Sequence, residues 1–169
     1  MTGMGPRLTG LLCEDDPLIR RAVLVVMSRC GFESVSVVGT GREAVEFAGR
    51  TPPQVAVVDL ALAGARGLGV VADIVRAAPR CNVVVVSPFA ALGASALAAG
   101  AFAVCQLTDL RELQLCLQHA LAHAAASCDA CDGECTVELG PSAPFQAPSI
   151  GATDDSGYLR RRYRPWPAN

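Results

Sequence analysis

The sequence predicts an α/β fold, a doubly wound five-stranded parallel sheet with helices on both faces. Three observations predict it. Residues 8–126 alternate short apolar runs with longer amphipathic stretches. The runs are near-continuous Val, Leu and Ala, the pattern of strands buried on both faces rather than on one. Carboxylates then close two of them, with Glu14 and Asp15 after the first and Asp59 at the end of the third. A charge is costly inside a buried strand but tolerable at its C-terminal end, where open α/β sheets place their ligand crevice.

Each element has its own local signal. LTGLLC (8–13) reads as the first strand. DDPLIRRAVLVVMSRCG (15–31) is a helix with Asp16 as N-cap, Pro17 in its first turn and Gly31 ending it. FESVSVV (32–38) is the second strand. TGREAVEFAGR (40–50) is a helix whose Thr40 and Glu43 have capping-box spacing. QVAVVDL (54–60) is the third strand, and RGLGVVADIVRAA (66–78) the helix before Pro79. CNVVVVS (81–87), FAALGASALAAG (89–100) and AFAVCQL (101–107) give strand, short Ala-rich helix, strand. TDLRELQLCLQHALAHAAA (108–126) closes the series, its leucines at 110, 113, 117 and 121 recurring at helical steps. Five such units favour the flavodoxin-like order 2-1-3-4-5, which sets the ends of strands one and three side by side.

Composition excludes several classes. The chain has 169 residues, 51% of them hydrophobic and only 5% aromatic, so its core is aliphatic. The net charge of -2 argues against a broad electrostatic grip on nucleic acid. All 14 basic residues are arginine, so there is no lysine. The start, MTGMGPRLTGLL, has no apolar stretch of signal-peptide length. Residues 81–108 carry no charge and are long enough to span a bilayer, but Pro88, Gly93 and Gly100 break them into pieces. No membrane span is therefore expected. The eight cysteines, without secretory context, suggest a reducing, cytoplasmic location. Cys13, Cys30, Cys81, Cys105 and Cys116 read as small core hydrophobes.

The domain is expected over residues 7–126. Residues 127–169, rich in Pro, Gly and Ser, read as a disordered tail. His119, His123, Cys128, Cys131 and Cys135 have spacing compatible with zinc, but without a second C-x2-C pair free thiols and surface histidines are preferred. LRRRYRPWPAN (159–169) reads as a solvated terminus. No helix-turn-helix pattern follows residue 126, so DNA binding is not expected.

Glu14, Asp15 and Asp59 are expected to share one pocket. Clustered carboxylates repel unless a cation joins them, and an oxygen-only donor set suits Mg²⁺. Such an ion can neutralise a phosphoryl group, and a carboxylate beside it can act as nucleophile. Ser87, ending the fourth strand, adds a hydroxyl. A rival reading is a dinucleotide fingerprint at Gly39, Gly41 and Ala44, with Asp59 as the acid on the ribose. It sits on the second unit, and acids in the neighbouring loop would repel a pyrophosphate.

LLCEDDPLIRR, VGTGREAVEFA, VAVVDLALAGARGLGVV, VVVVS and AGAFAVCQLTDLREL together resemble a response-regulator receiver domain over residues 8 to about 125. The resemblance implies a phosphorelay component of two-component signalling. It implies the phosphoacceptor at Asp59, metal ligands at Glu14, Asp15, Asp59 and the Ala61 carbonyl, and a switch hydroxyl at Ser87. It also implies a histidine kinase or phosphotransfer protein as donor and a downstream protein target. The output or homodimer face would lie on helix four, strand five and helix five, with at most self-phosphorylation and self-dephosphorylation as enzymatic chemistry. The chain departs from the pattern in four places. The family lysine falls on Leu107, or on Gln106 with a one-residue shift. The residue after the switch hydroxyl is Pro88, which has no N–H. The aromatic switch position falls near Val104, and the usual proline after the acceptor is Ala63. A degenerate receiver working through phosphorylation-independent contacts is the alternative.

Overall fold

The computed structural model describes residues 7–62 and 67–126. Ala63 and residues 127–169, including the expected tail and Cys128, Cys131 and Cys135, lie outside the described residues. Strands and helices alternate as β1 (Thr9–Cys13), α1 (Pro17–Arg29), β2 (Ser34–Val38), α2 (Gly41–Arg50), β3 (Val55–Asp59), α3 (Gly67–Ala77), β4 (Asn82–Val86), α4 (Gly93–Ala98), β5 (Ala103–Cys105) and α5 (Leu110–Ala126). The sheet runs β2-β1-β3-β4-β5, every pair parallel. This is the expected flavodoxin-like order. The in-register pairs Cys13↔Val58 and Asp59↔Val86 bring the C-terminal ends of β1, β3 and β4 together.

Every residue of β3 and β4 is buried. Successive side chains leave a strand on opposite faces, so each valine run feeds two cores. Val55, Val57, Val84 and Val86 pack with Val23, Met27, Leu113 and Leu117 under α1 and α5. Ala56, Val58, Val83 and Val85 pack with Ala44, Val71, Ile74 and Ala96 under α2, α3 and α4. Each fully buried Val or Leu contributes about 1.5–3 kcal/mol. Asn82 is the polar exception on β4, and its Nδ2 donates to the Ala120 carbonyl of α5 at 2.8 Å. Cys13, Cys81, Cys105 and Cys116 are buried and Cys30 partly so, all as free thiols, which fits their reading as core hydrophobes.

Caps set the helix starts. The Asp16 carboxylate accepts from Leu18 N at 2.8 Å and Ile19 N at 3.0 Å, with Pro17 leading α1. Gly31, at φ 91°, turns the chain out of that helix in a conformation that favours glycine. At α2 the Thr40 hydroxyl accepts from Glu43 N, and Glu43 reaches back to accept from Gly39 N at 3.1 Å. Gly41 is needed for packing, because a Cβ there would run into Val70 Cγ2 on α3. Gly41→Ala is expected to cost about 1–3 kcal/mol in urea unfolding. Val70→Ala in the same chain should recover most of that loss. If the double variant is no more stable than Gly41→Ala, the close approach is not the cause.

Three stretches differ from expectation. FAALGASALAAG is not one helix: Ala90–Leu92 forms a 3₁₀ turn and α4 has only six residues. The proline before it removes a donor, and Gly100 at φ 104° terminates it. β5 is three residues long rather than seven: its ladder with β4 ends at Cys105, and the next N–H, that of Gln106, goes to Glu112 Oε2 instead. Leu110, placed on the apolar stripe of α5, is instead 42% exposed in its first turn. Among the described residues no helix is long and apolar enough to cross a membrane, and residues 81–108 resolve mainly into β4, α4 and β5.

Candidate functional site

The end of β1 and the end of β3 each deliver a buried acid. Glu14 is 2% exposed and Asp59 is 7% exposed. Burial is nearly complete, yet among the described residues the salt bridges join Arg7 to Glu33, Arg42 to Glu46 and Arg76 to Asp73, none of them at this pocket. Asp15 is exposed at the rim. The sequence-based grouping of three acids is thus two buried carboxyls and one in solvent, the third acting on both through its charge.

Local backbone fixes both buried groups. Glu14 Oε1 accepts from Asp16 N at 2.9 Å, and Asp59 Oδ1 accepts from Ala61 N at 2.8 Å. Desolvation pushes the Glu14 carboxyl above its ordinary range; the Asp16 N–H opposes this and the charges of Asp59 and Asp15 add to it. Asp59 is likewise raised, first by desolvation and then by Asp15, with the Ala61 N–H and a hydrogen bond from Glu14 opposing. The same field reaches Cys13, whose thiol is pushed up to about 12 by burial and by Glu14 and Asp59 beside it. The ends of β1 and β3 thus gather three acids, two of them buried.

Oxygen donors alone suit a hard cation, and magnesium takes one or two carboxylates while keeping several waters. The buried carboxyls of Glu14 and Asp59 supply oxygens of this kind, and a divalent ion would offset the negative charge that collects there. No three described His, Cys, Asp or Glu side chains converge as a ready group, so exposed Asp15 would have to turn inward. His119 and His123 lie on α5, where the His123 ring meets Phe102 at 5.2 Å and burial lowers the His119 pKa. The cysteines of the zinc alternative lie outside the described residues.

Ser87 follows Val86, the register partner of Asp59, and is buried. Its hydroxyl is turned into its own loop, accepting from Phe89 N at 3.0 Å and facing Phe89 O at 3.4 Å. Ser87 N donates to Cys105 O at 3.1 Å, tying this loop to β5. At the family lysine position Leu107 packs against the core under α1 and α5, and Gln106 N donates to Glu112 Oε2 at 3.3 Å. Val104 is partly buried against the other core. In the Gly39–Ala44 turn the first glycine N–H is already bonded to Glu43.

One functional candidate was not legible in the motifs. Arg20 reaches back from α1 to the acid loop. Its Nη2 and Nε donate to Glu14 O at 3.0 and 3.3 Å, and Nη2 lies 3.4 Å from Asp15 O. The available signal was position: Arg20 stands one helical turn after the N-cap, so its side chain can fold back over the loop.

Comparison with known proteins agrees with this geometry. The response regulator receiver domain family matches residues 11–106, more than half of the chain. A receiver domain protein (CheY-like) from Methanospirillum hungatei JF-1 superposes with a TM-score of 0.64 at 20% identity, covering 70% of this chain and 97% of that one. A LuxR-family two-component response regulator from Aurantimonas sp. SI85-9A1 gives 0.62 at 23%, covering 69% and 86%. A response regulator from Thermotoga maritima gives 0.61 at 21%, covering 69% and 99%. No curated protein matches. The buried acids at the ends of β1 and β3, the strand order and the family match lead to one conclusion: the chain belongs to the response-regulator receiver domain family.

Proposed function

We propose that this receiver domain accepts a phosphoryl group on Asp59 from a histidine kinase or phosphotransfer protein in the cytoplasm. The observation that carries the reading is the Asp59 carboxylate, buried beside Glu14 at the switch point between β1 and β3. The Ala61 N–H holds Oδ1 and fixes the rotation of the group, which leaves Oδ2 as the attacking atom. The Asp59 oxygen forms a bond to phosphorus as the bond from phosphorus to the donor nitrogen breaks, and the leaving imidazole takes a proton. Asp59, Asp15, the Ala61 carbonyl and, through water, Glu14 would hold Mg²⁺. The ion would offset charge on the transferring group. Release of the Ser87 hydroxyl from Phe89 toward the phosphoryl oxygens would pass the change to α4, β5 and α5, where a downstream protein or a second copy would bind.

Leu107, Pro88 and the loop-bound hydroxyl favour a second reading, in which the same face works without phosphorylation. Intact mass after incubation with a small phosphodonor and Mg²⁺ separates the two. Wild type should gain one phosphoryl group, and Asp59→Asn none. An unlabelled wild type, under conditions that label a competent receiver, removes phosphoryl transfer and leaves the contact-only reading.

A further inference from the structure

We propose that Arg20 is a positioning residue for the acid pocket, clamping the backbone of Glu14 and Asp15 so that the buried Glu14 carboxyl stays beside Asp59. Its bonds go to carbonyl oxygens of the loop and not to the carboxylates: Nη2 and Nε hold Glu14 O at 3.0 and 3.3 Å, and Nη2 approaches Asp15 O at 3.4 Å. A planar guanidinium with several donors in fixed directions can bridge two successive carbonyls, which an ammonium does poorly. From the other side the same loop is held by Glu14 Oε1 on Asp16 N and by the Asp16 cap on Leu18 and Ile19. Arg20 closes this set across the loop.

The metal arm of this inference rests on the reading of the pocket as a Mg²⁺ site; the loop arm does not. Simple electrostatics and positioning predict opposite signs. Loss of a nearby positive charge should tighten binding of a divalent cation. Loss of a group that orients the ligands should weaken it, and outer partners of this kind typically carry about 10- to 100-fold in metal affinity.

The test compares Arg20→Gln and Arg20→Lys with Arg21→Gln, which removes the same charge one residue further on. MgCl₂ titrations followed by amide chemical shifts should show a dissociation constant raised about tenfold in Arg20→Gln. Arg20→Lys should recover little of the loss, and Arg21→Gln should behave as wild type. In metal-free protein, exchange of the Asp16 amide should accelerate about tenfold in both Arg20 variants as the loop opens locally. Unchanged or tighter Mg²⁺ binding in Arg20→Gln overturns the proposal. If wild type itself binds no Mg²⁺, the metal reading of the pocket falls. The clamp then stands or falls on Asp16 exchange alone, and an unaltered rate in Arg20→Gln refutes it.

Discussion

Leu107→Lys is expected to speed phosphoryl uptake by Asp59 about a hundredfold, the scale seen when a preorganised donor to developing negative charge is removed elsewhere. The chain has no lysine to perform this task. Leu107 lies two residues beyond the end of β5, on the side of the sheet where Asp59 ends β3. Only β4 separates the two strands, so the gap between them is about 10 Å. A lysine stem spans much of that distance. Its methylenes can also keep the apolar contacts that Leu107 makes with the core, so the folding penalty should stay near 1 kcal/mol. A charge-assisted bond is roughly twice as strong as a neutral one, which makes this gain larger than that from restoring a backbone donor with Pro88→Ala. Time courses of intact mass with a small phosphodonor measure both. A Leu107→Lys protein that folds and labels no faster than wild type would show that the missing cation does not limit the site.

Asp59→Asn should stabilise the metal-free protein at neutral pH by about 1–2 kcal/mol, the scale for relieving an uncompensated buried charge. That corresponds to roughly 5 °C per kcal/mol in a domain of this size. The sign follows from proton linkage. Glu14 and Asp59 have carboxyls raised in the folded state, mainly by desolvation. The folded chain therefore holds more protons than the unfolded chain between the ordinary carboxyl range and the raised values. Stability falls as pH rises through that window, and the loss is complete above it. Asparagine does not titrate, keeps an oxygen for the Ala61 N–H, and can donate an amide proton to Glu14. Its advantage should be full at pH 7 and vanish in acid, where wild type is protonated. Saturating Mg²⁺ should narrow the gap by stabilising wild type. Calorimetry across pH 4–8 in chelator tests this, and an Asp59→Asn melting point below that of wild type at pH 7 would falsify the picture of destabilising buried acids.

Much of the architecture was legible because it depends on local signals. Asp16 and Pro17 start α1, Thr40 and Glu43 start α2, and the all-apolar β3 and β4 read as strands buried on both faces. Asp59 stood out because a charge ending such a run needs a reason. What escaped depends on competition between partners distant in sequence or equal in chemistry. β5 is short because its ladder with β4 stops at Cys105, where Gln106 N turns to Glu112, and sequence does not show how far a pairing extends. Asp15 and Glu14 are adjacent and chemically alike, yet one is exposed and the other buried. Which acid turned inward depended on the fold. Arg20 was hidden for the same reason, since its partners are carbonyls that every residue possesses.

Under the proposed function, the turn that Ser87 makes with Phe89 would serve as a latch. The hydroxyl is already satisfied, so swinging it toward Asp59 exchanges one bond for another and adds little net energy. What changes is who goes without: the Phe89 N–H loses its partner, and the aromatic ring on that same residue is 60% exposed. Under the proposed phosphorylation, occupancy at the end of β3 would thereby be converted into slack in a surface aromatic, with no aromatic at Val104 to carry the message. A binding partner that captured the loosened Phe89 would hold the latch open, and by reciprocity would favour the occupied state of Asp59.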